Sequence, residues 1–458
     1  MPKHVLFDCD LPRNWLITTV DAIKADEKSA CVAGPFGSNI SSKYFVSEGV
    51  PVIRGGNLTD NLTKFVPQNF VFVSTERAAS YRAQHARAGD LVFTCWGTIG
   101  QVGLIPARGP FPEYIISNKQ LKLRPNTSIT DALYLFYYFA SPEMVAHVRS
   151  RAIGAAVPGI NLGILKALQV VLPPLPVQRR IASILSAYDD LIENNTRRIA
   201  ILEEMAQRLY EEWFVRFRFP GHEGVRMVES ELGLVPEGWS WRPVGALLEH
   251  HIGGGWGKEE QSEDHSVAAY VIRGTDIPDV RGGSLGRAPL RFHTASNFRS
   301  RKLQARDIVF EVSGGSKDQP VGRAVMVGPK LLAAAGVPFI CASFCRLVRA
   351  DLKKVLPEIL RFHFERIYEN RQIMQYQTQS TGITNFKFTV FQEKEMVLVP
   401  SAEHQQLFAG AALPVLELAE TLGLKNANLR TTRDLLLPKL ISGELDVSTL
   451  LEPQAQTI

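Results

Sequence analysis

The stretch that decides the fold is Gln178–Phe217, QRRIASILSAYDDLIENNTRRIAILEEMAQRLYEEWFVRF, near the middle of the chain. It contains neither glycine nor proline. Ile181, Leu185, Tyr188, Ile192, Asn195, Ile199, Leu202, Ala206, Leu209 and Trp213 recur at alternating steps of four and three. That spacing predicts a long helix with a heptad seam, interrupted by one polar position at Asn195. At about 1.5 Å per residue the seam would run for about 48 Å. Pro173, Pro174 and Pro176 lead into the helix and Pro220-Gly221 closes it. Glu193 with Arg197, Glu204 with Arg208 and Glu212 with Arg216 set an acid four residues before a base, the orientation that supports a helix.

Outward from this helix, the flanking halves echo one another. Leu11-Pro12-Arg13-Asn14-Trp15 returns as Val235-Pro236-Glu237-Gly238-Trp239, and Val52-Ile53-Arg54-Gly55 as Val271-Ile272-Arg273-Gly274. The glycine-rich Gly34-Pro35-Phe36-Gly37-Ser38 has a partner in Gly253-Gly254-Gly255-Trp256-Gly257. Ala88-Gly89-Asp90-Leu91-Val92-Phe93 is echoed by Ala305-Arg306-Asp307-Ile308-Val309-Phe310, and Val171-Leu172-Pro173-Pro174 by Val397-Leu398-Val399-Pro400. Ordered matches at nearly one offset indicate a tandem duplication.

Each repeat opens with short apolar runs bounded by Gly, Pro, Asn and Asp, such as Leu91–Thr94, Val102–Ile105 and Gln120–Leu123, which read as strands. A helix is expected near Ala132–Val148, with a counterpart near Pro357–Tyr376. The second repeat closes with its own long helix from Ser401, a candidate N-cap with Glu403 in the first turn. There Phe408, Ala412, Val415, Ala419, Leu422, Asn426, Leu429, Arg433 and Leu436 carry the seam, and Pro414 and Pro438 are each expected to kink it.

The fold class is therefore α+β: two β-rich domains separated by a pair of long antiparallel coiled-coil helices in a pseudo-twofold tandem repeat. The boundaries are 1–175 for the first domain, 176–218 for the central helix, 219–400 for the second domain, 401–446 for the distal helix and 447–458 for a tail. Seam contacts are expected from Ile181, Leu185, Tyr188, Ile192, Asn195, Ile199, Leu202 and Leu209 against Leu422 and Leu429. Asn195 and Asn426 would set the register of the two helices at some cost in stability.

An apolar content of 45% and a charged content of 21% are ordinary for a soluble globular protein. No apolar run reaches about 18 residues, and Met1–Pro12 lacks the apolar core of a signal peptide, so a cytoplasmic protein with no membrane partner is expected. Five cysteines without a C-x-x-C pair support neither a disulfide framework nor a metal site. A net charge of +5 is compatible with an anionic partner.

Catalytic constellations are missing. Ile252–Glu259 fails as a phosphate loop, because Ile252 replaces its first glycine and Glu259 follows Lys258. H-E-x-x-H and G-x-S-x-G are absent, as is the N-P-P-Y/F or D-P-P-Y/F of amino-methyltransferases, and His250-His251 reads as a loop pair. No catalysis, cofactor or metal is expected. The β-rich domains instead carry cations among aromatics and small polar residues: Lys43, Tyr44, Arg54, Arg77, Arg82, Trp96 and Lys119, then Trp256, Lys258, Arg273, Asn297, Arg299, Arg301, Lys302 and Lys317. Such residues neutralise phosphates and read base edges, and Asn297–Lys302 is the densest run.

Together these pieces resemble one family, the specificity subunits of type I restriction-modification systems. The residues that carry the resemblance are Leu172–Ala182, Leu209–Phe214, Gly34–Ser38 with Val52–Asn57, and Leu435–Gly443. It covers essentially the whole chain. The resemblance implies two target-recognition domains, each reading half of a split, asymmetric double-stranded DNA site. It also implies a helical pair that sets the spacer and docks two methyltransferase subunits, with a motor-nuclease subunit in the full complex. S-adenosylmethionine and ATP would belong to those partners. Arg179, Arg180, Trp213 and Phe214 are the candidate docking residues, and Gln405-Gln406 stand where the first helix has Arg179-Arg180. The rival reading is a protein-interaction scaffold that never touches DNA.

Overall fold

A computed structural model describes residues 3–154, 158–315, 319–380 and 383–448. The chain is mixed helix and sheet and divides into two compact units, residues 1–190 with 430–458, and residues 191–429. Two long helices, Leu175–Tyr210 and Ala402–Ser442, each contribute to both.

In the first unit, Leu16–Thr19 pairs antiparallel with Gln169–Leu172. A four-stranded sheet runs Cys31–Ala33, Gln120–Leu123, Leu91–Thr94, Val102–Leu104. A five-stranded sheet holds one parallel pair, Val50–Ile53 beside Tyr114–Ile116. The expected single helix at 132–148 is two, Ala132–Ala140 and Pro142–Ser150. Ser141 leaves helical geometry ahead of Pro142 and caps the second helix through Met144 N–H. Tyr134, Phe136, Tyr137 and Phe139 are buried in one core with Ile181, Leu185, Leu437, Leu440 and Ile441. The end of the second long helix thus sits in the first unit's core. Gly443 (φ 78°) ends that helix, and a Cβ there would lie 2.3 Å from Pro12 Cγ.

The second unit repeats much of this order. Ser240–Pro243 pairs with Met396–Val399, and a four-stranded sheet runs Leu248–Gly253, Cys345–Ala350, Ile308–Glu311, Ala324–Met326. Val267–Ile272 lies parallel to Phe339–Cys341. The helix expected at 357–376 is Pro357–Glu369 followed by a 3₁₀ turn, Gln372–Tyr376.

Several polar clamps recur as well. Arg124 grips Asp90 with two bonds of 2.8 Å, while Asp90 accepts from Arg87 N–H; Arg349 grips Asp307, which accepts from Gln304 N–H. Gln178, fully buried, donates to Pro173 O and Ile129 O and accepts from Asp131 N–H. Gln405 makes the same set with Pro400 O, Lys354 O and Leu356 N–H. Gln405 is therefore the counterpart of Gln178, which corrects the alignment of Gln405-Gln406 with Arg179-Arg180 by one residue. Each glutamine thereby ties the start of its long helix to the segment that leads into a second helix, Ala132–Ala140 or Pro357–Glu369.

The first long helix ends in a π-helical turn, Glu211–Val215. The second begins with Ser401 Oγ accepting from His404 N–H and runs unbroken through Pro414 and Pro438, so neither proline ends it. By length and composition it could cross a membrane, with an 18-residue window of mean hydropathy 1.5. Its buried Phe408, Ala412 and Leu416 join the second unit's aromatic core, and buried Glu420 accepts from Leu331 N–H, contacts of a protein-core helix. Within the second unit Asn195 Nδ2 donates to Asn426 Oδ1 at 2.9 Å, and Asn426 donates to Ile192 O. Within the first, Arg433 donates to Asp189, which also accepts from Tyr137 Oη.

Candidate nucleic-acid interface

In the first unit the candidate residues gather around the glycine-rich turn. Gly34 passes so close to the neighbouring strand end that a Cβ would lie 1.8 Å from Ser117 O, which only glycine allows. Two 3₁₀ turns follow, Gly37–Ile40 and Ser42–Tyr44. The Arg77 guanidinium lies 3.2 Å from the Tyr44 ring centroid and donates to Asn39 O at 2.7 Å, while Lys43 Nζ sits 4.7 Å from the same centroid. Lys43 also hydrogen-bonds the Tyr44 phenol and holds it below its usual pKa. This is a cationic platform whose arginine is locked and whose lysine is exposed.

Beside it opens a cleft of about 430 Å³, walled by Ile40, Phe45, Arg54, Trp96, Asn118 and Lys119. Arg54, Trp96 and Lys119, far apart in the sequence, meet here. Arg54 opens a tight turn in which Asn57 Oδ1 accepts from Arg54 N–H at 2.9 Å. The neutral Asn57 leaves the guanidinium nearly free, with a long 3.4 Å bond to Asn69 O.

Arg82 lies apart, on a pocket of about 300 Å³ with His85, Arg87, Glu113 and Arg124. Its one lining acid, Glu113, is engaged with His85 at 2.9 Å, and Arg124 is paired with Glu27 at 2.7 Å. Fully buried Lys122 behind it donates to Ala83 O and His85 O, and burial pushes its amine down to about 8.

The second unit departs more from expectation. At the turn matching that of Arg54, Asp276 replaces Asn57, and both carboxylate oxygens take Arg273 at 2.8 Å. Arg273 also donates to Arg287 O, so it is a structural brace and not a free cation. Arg301 likewise is spent on the glycine loop, donating to Gly253 O at 2.9 Å. Arg299 and Lys302 stay exposed at the end of the helix Ala295–Arg301, which Thr294 caps through Asn297 N–H. Half-buried Asn297 keeps an unpartnered Oδ1 beside Gly255. Lys258 is exposed near Trp256, over which Arg291 lies at 5.2 Å. Lys317 lies outside the described residues.

On the helices, no seam position is exposed: Ile181, Leu185, Ile192, Asn195 and Leu422 are buried, and Tyr188, Ile199, Leu202, Leu209 and Leu429 half-buried. The proposed docking residues fare differently. Trp213 and Phe214 are buried in an aromatic cluster with Phe408 and Trp239, which removes them from any accessible face. Arg180 is held by the carbonyls of Val447 and Ser448, and Arg179 alone of the four is exposed. The heptad pattern marks apolar residues that face another surface, but it does not tell a partner subunit from the chain's own core.

Sequence reasoning missed Ser117, Asn118 and Gln120 in the cleft, because neutral polar residues at a strand edge carry no periodic signal. The recurrence of Gln178 and Gln405, each five residues after a proline, Pro173 and Pro400, is the signal in the sequence that marks these two clamps. Among the described residues no group of His, Cys, Asp or Glu could hold a metal ion, and the five thiols are free.

A family model for the type I restriction modification DNA specificity domain matches residues 38–204. The specificity subunit of the type I restriction enzyme MjaIX from Methanocaldococcus jannaschii is 25% identical over 449 residues, 96% of this chain and 95% of that one. The specificity subunit of the type I restriction enzyme HindI from Haemophilus influenzae is 32% identical over 111 residues, 23% of each chain. Among solved structures, the S subunit of a type I restriction-modification system from M. genitalium aligns over 94% of this chain and 98% of its own, with a TM-score of 0.55 and 13% identity. That likeness is one of fold.

Proposed function

We infer from a chain that belongs with the type I restriction-modification specificity subunits that its two β-rich units each read one half of a bipartite, asymmetric double-stranded DNA site. The observation that carries this reading is the cleft of the first unit, where Arg54, Lys119 and Trp96 meet with unspent charge and an open aromatic face. Exposed arginine and lysine supply phosphate contacts, and aromatic and amide groups supply base discrimination. The second unit offers a different set, Lys258, Asn297, Arg299 and Lys302, and different sets favour different half-sites.

The two long helices are read as an antiparallel pair in a duplicated chain. The contacts Asp189 with Arg433 in one unit and Asn195 with Asn426 in the other descend one helix while they climb its partner, which supports this reading. The pair would set the spacer between half-sites and dock two methyltransferase subunits, with Arg179 the remaining candidate among the four docking residues. A motor-nuclease subunit would complete the complex. The chain itself performs no chemistry and works in the cytoplasm, on DNA.

The test is to assemble the full chain with a candidate methyltransferase and map adenine methylation on a randomised DNA library. Methylation confined to one split, non-palindromic sequence is expected. Assembly with no sequence preference would favour the scaffold reading.

A further inference from the structure

The floor of the first unit's cleft holds a group that nothing in the fold uses. Gln120 is fully buried and forms part of the cleft wall. Its Oε1 accepts from Ser117 Oγ, but its Nε2 has no partner. A buried amide donor is ordinarily hydrogen-bonded, so this one is available to an acceptor that enters the cleft. At the rim, the Trp96 ring rests on Gly159, where a Cβ would lie 2.5 Å from the ring, and the side chain remains 43% exposed.

The second unit puts different residues at the matching place. Gln120 pairs with Thr94 across the strands, and the matching pair there is Cys345 with Glu311. Glu311 is buried and takes both arms of Arg323, at 2.9 and 2.6 Å. A Cβ on Gly274 would lie 2.3 Å from Glu311 Oε1, whereas one on the matching Gly55 would meet nothing closer than 3.8 Å. Where the second unit has the ion pair of Glu311 and Arg323, the first has Thr94 and Gln101 joined by a 3.1 Å hydrogen bond, and where the second has the buried thiol of Cys345, the first has Gln120 with its unspent donor.

We propose that the Gln120 cleft receives one nucleobase of the half-site, with an acceptor on the base taking the Gln120 Nε2 hydrogen and its face lying against Trp96. Arg54 and Lys119 at the rim take the flanking phosphates. A base is favoured over a bare phosphate because the interior combines aromatic and apolar walls, Trp96, Phe45 and Ile40, with a neutral donor. The proposal rests on the DNA-reading function above and names a specificity-determining residue within it.

The test uses the full chain assembled with its methyltransferase subunits to select from a randomised duplex pool. Gln120→Glu keeps the acceptor for Ser117 but turns the free donor into an acceptor. It should move the preference at one position of one half-site from an acceptor-bearing base towards one that offers an exocyclic amine. Trp96→Ala, a rim change that spares the core, should relax discrimination at the same position about five- to tenfold and leave the other half-site unchanged. If both variants select the wild-type sequence with wild-type stringency, the cleft does not read a base. A wild-type complex that enriches no split sequence would instead overturn the DNA-reading function itself.

Discussion

Arg54 and Arg273 occupy matching turns and differ in one neighbour. Asn57 satisfies the turn's backbone and leaves Arg54 free, while Asp276 satisfies the same backbone and captures Arg273. Arg54→Ala should therefore weaken DNA binding across sequences and lower the salt dependence by about one unit, with the melting temperature unchanged. Arg273→Ala should leave the salt dependence alone and cost about 1–2 kcal/mol of stability, since it strips a buried carboxylate of a partly solvated partner. Gel shifts over a salt series and thermal melts of both variants separate the two roles. From the sequence these arginines were one motif, and a single Asn-to-Asp difference three residues on divides them.

At the scale of elements, the two long helices carry a layer of paired asparagines among their buried apolar positions. Asn195 and Asn426 bond to one another, and Asn426 also reaches Ile192 O and Thr196 Oγ1. Asn195→Leu alone should destabilise by about 1–3 kcal/mol, because it leaves a buried amide short of a partner. Replacing both by Leu should recover that loss or exceed it while relaxing the helix register. Urea denaturation of the single and double variants measures the first effect, and a single variant as stable as wild type would refute the idea that this layer is satisfied only as a pair. The seam was legible because period and burial agree along it. The exits were not: Trp213 and Phe214 look like a displayed aromatic surface in the sequence and are core residues in the fold.

At the scale of the molecule, each long helix begins in one compact unit and finishes in the other. If the helical pair sets the spacer, deleting one heptad from both helices while keeping the Asn195–Asn426 layer should shorten the preferred spacer without altering either half-site. Methylation of templates with graded spacers reads this directly, and an unchanged preference would remove the helices from that role. Deletion from one helix only should instead unfold the seam, since a mismatch of seven residues offsets every layer beyond it.

The sequence by itself determined that the chain mixes helix with sheet, that it carries long helices and that its strand-rich regions hold many cations, because periodicity and composition are local properties of a chain. Tertiary structure alone decided which cations are free. Arg54, Lys119 and Lys302 remain available, while Arg273 and Arg301 are consumed by a carboxylate and a backbone carbonyl brought to them by folding. It also decided that Gln120 keeps an unspent donor at the floor of an open cleft, while its counterpart in the other unit is the buried Cys345, set across the strands from the Glu311 that Arg323 grips. Whether a polar group is satisfied depends on partners distant in sequence, and no pattern along the chain encodes that.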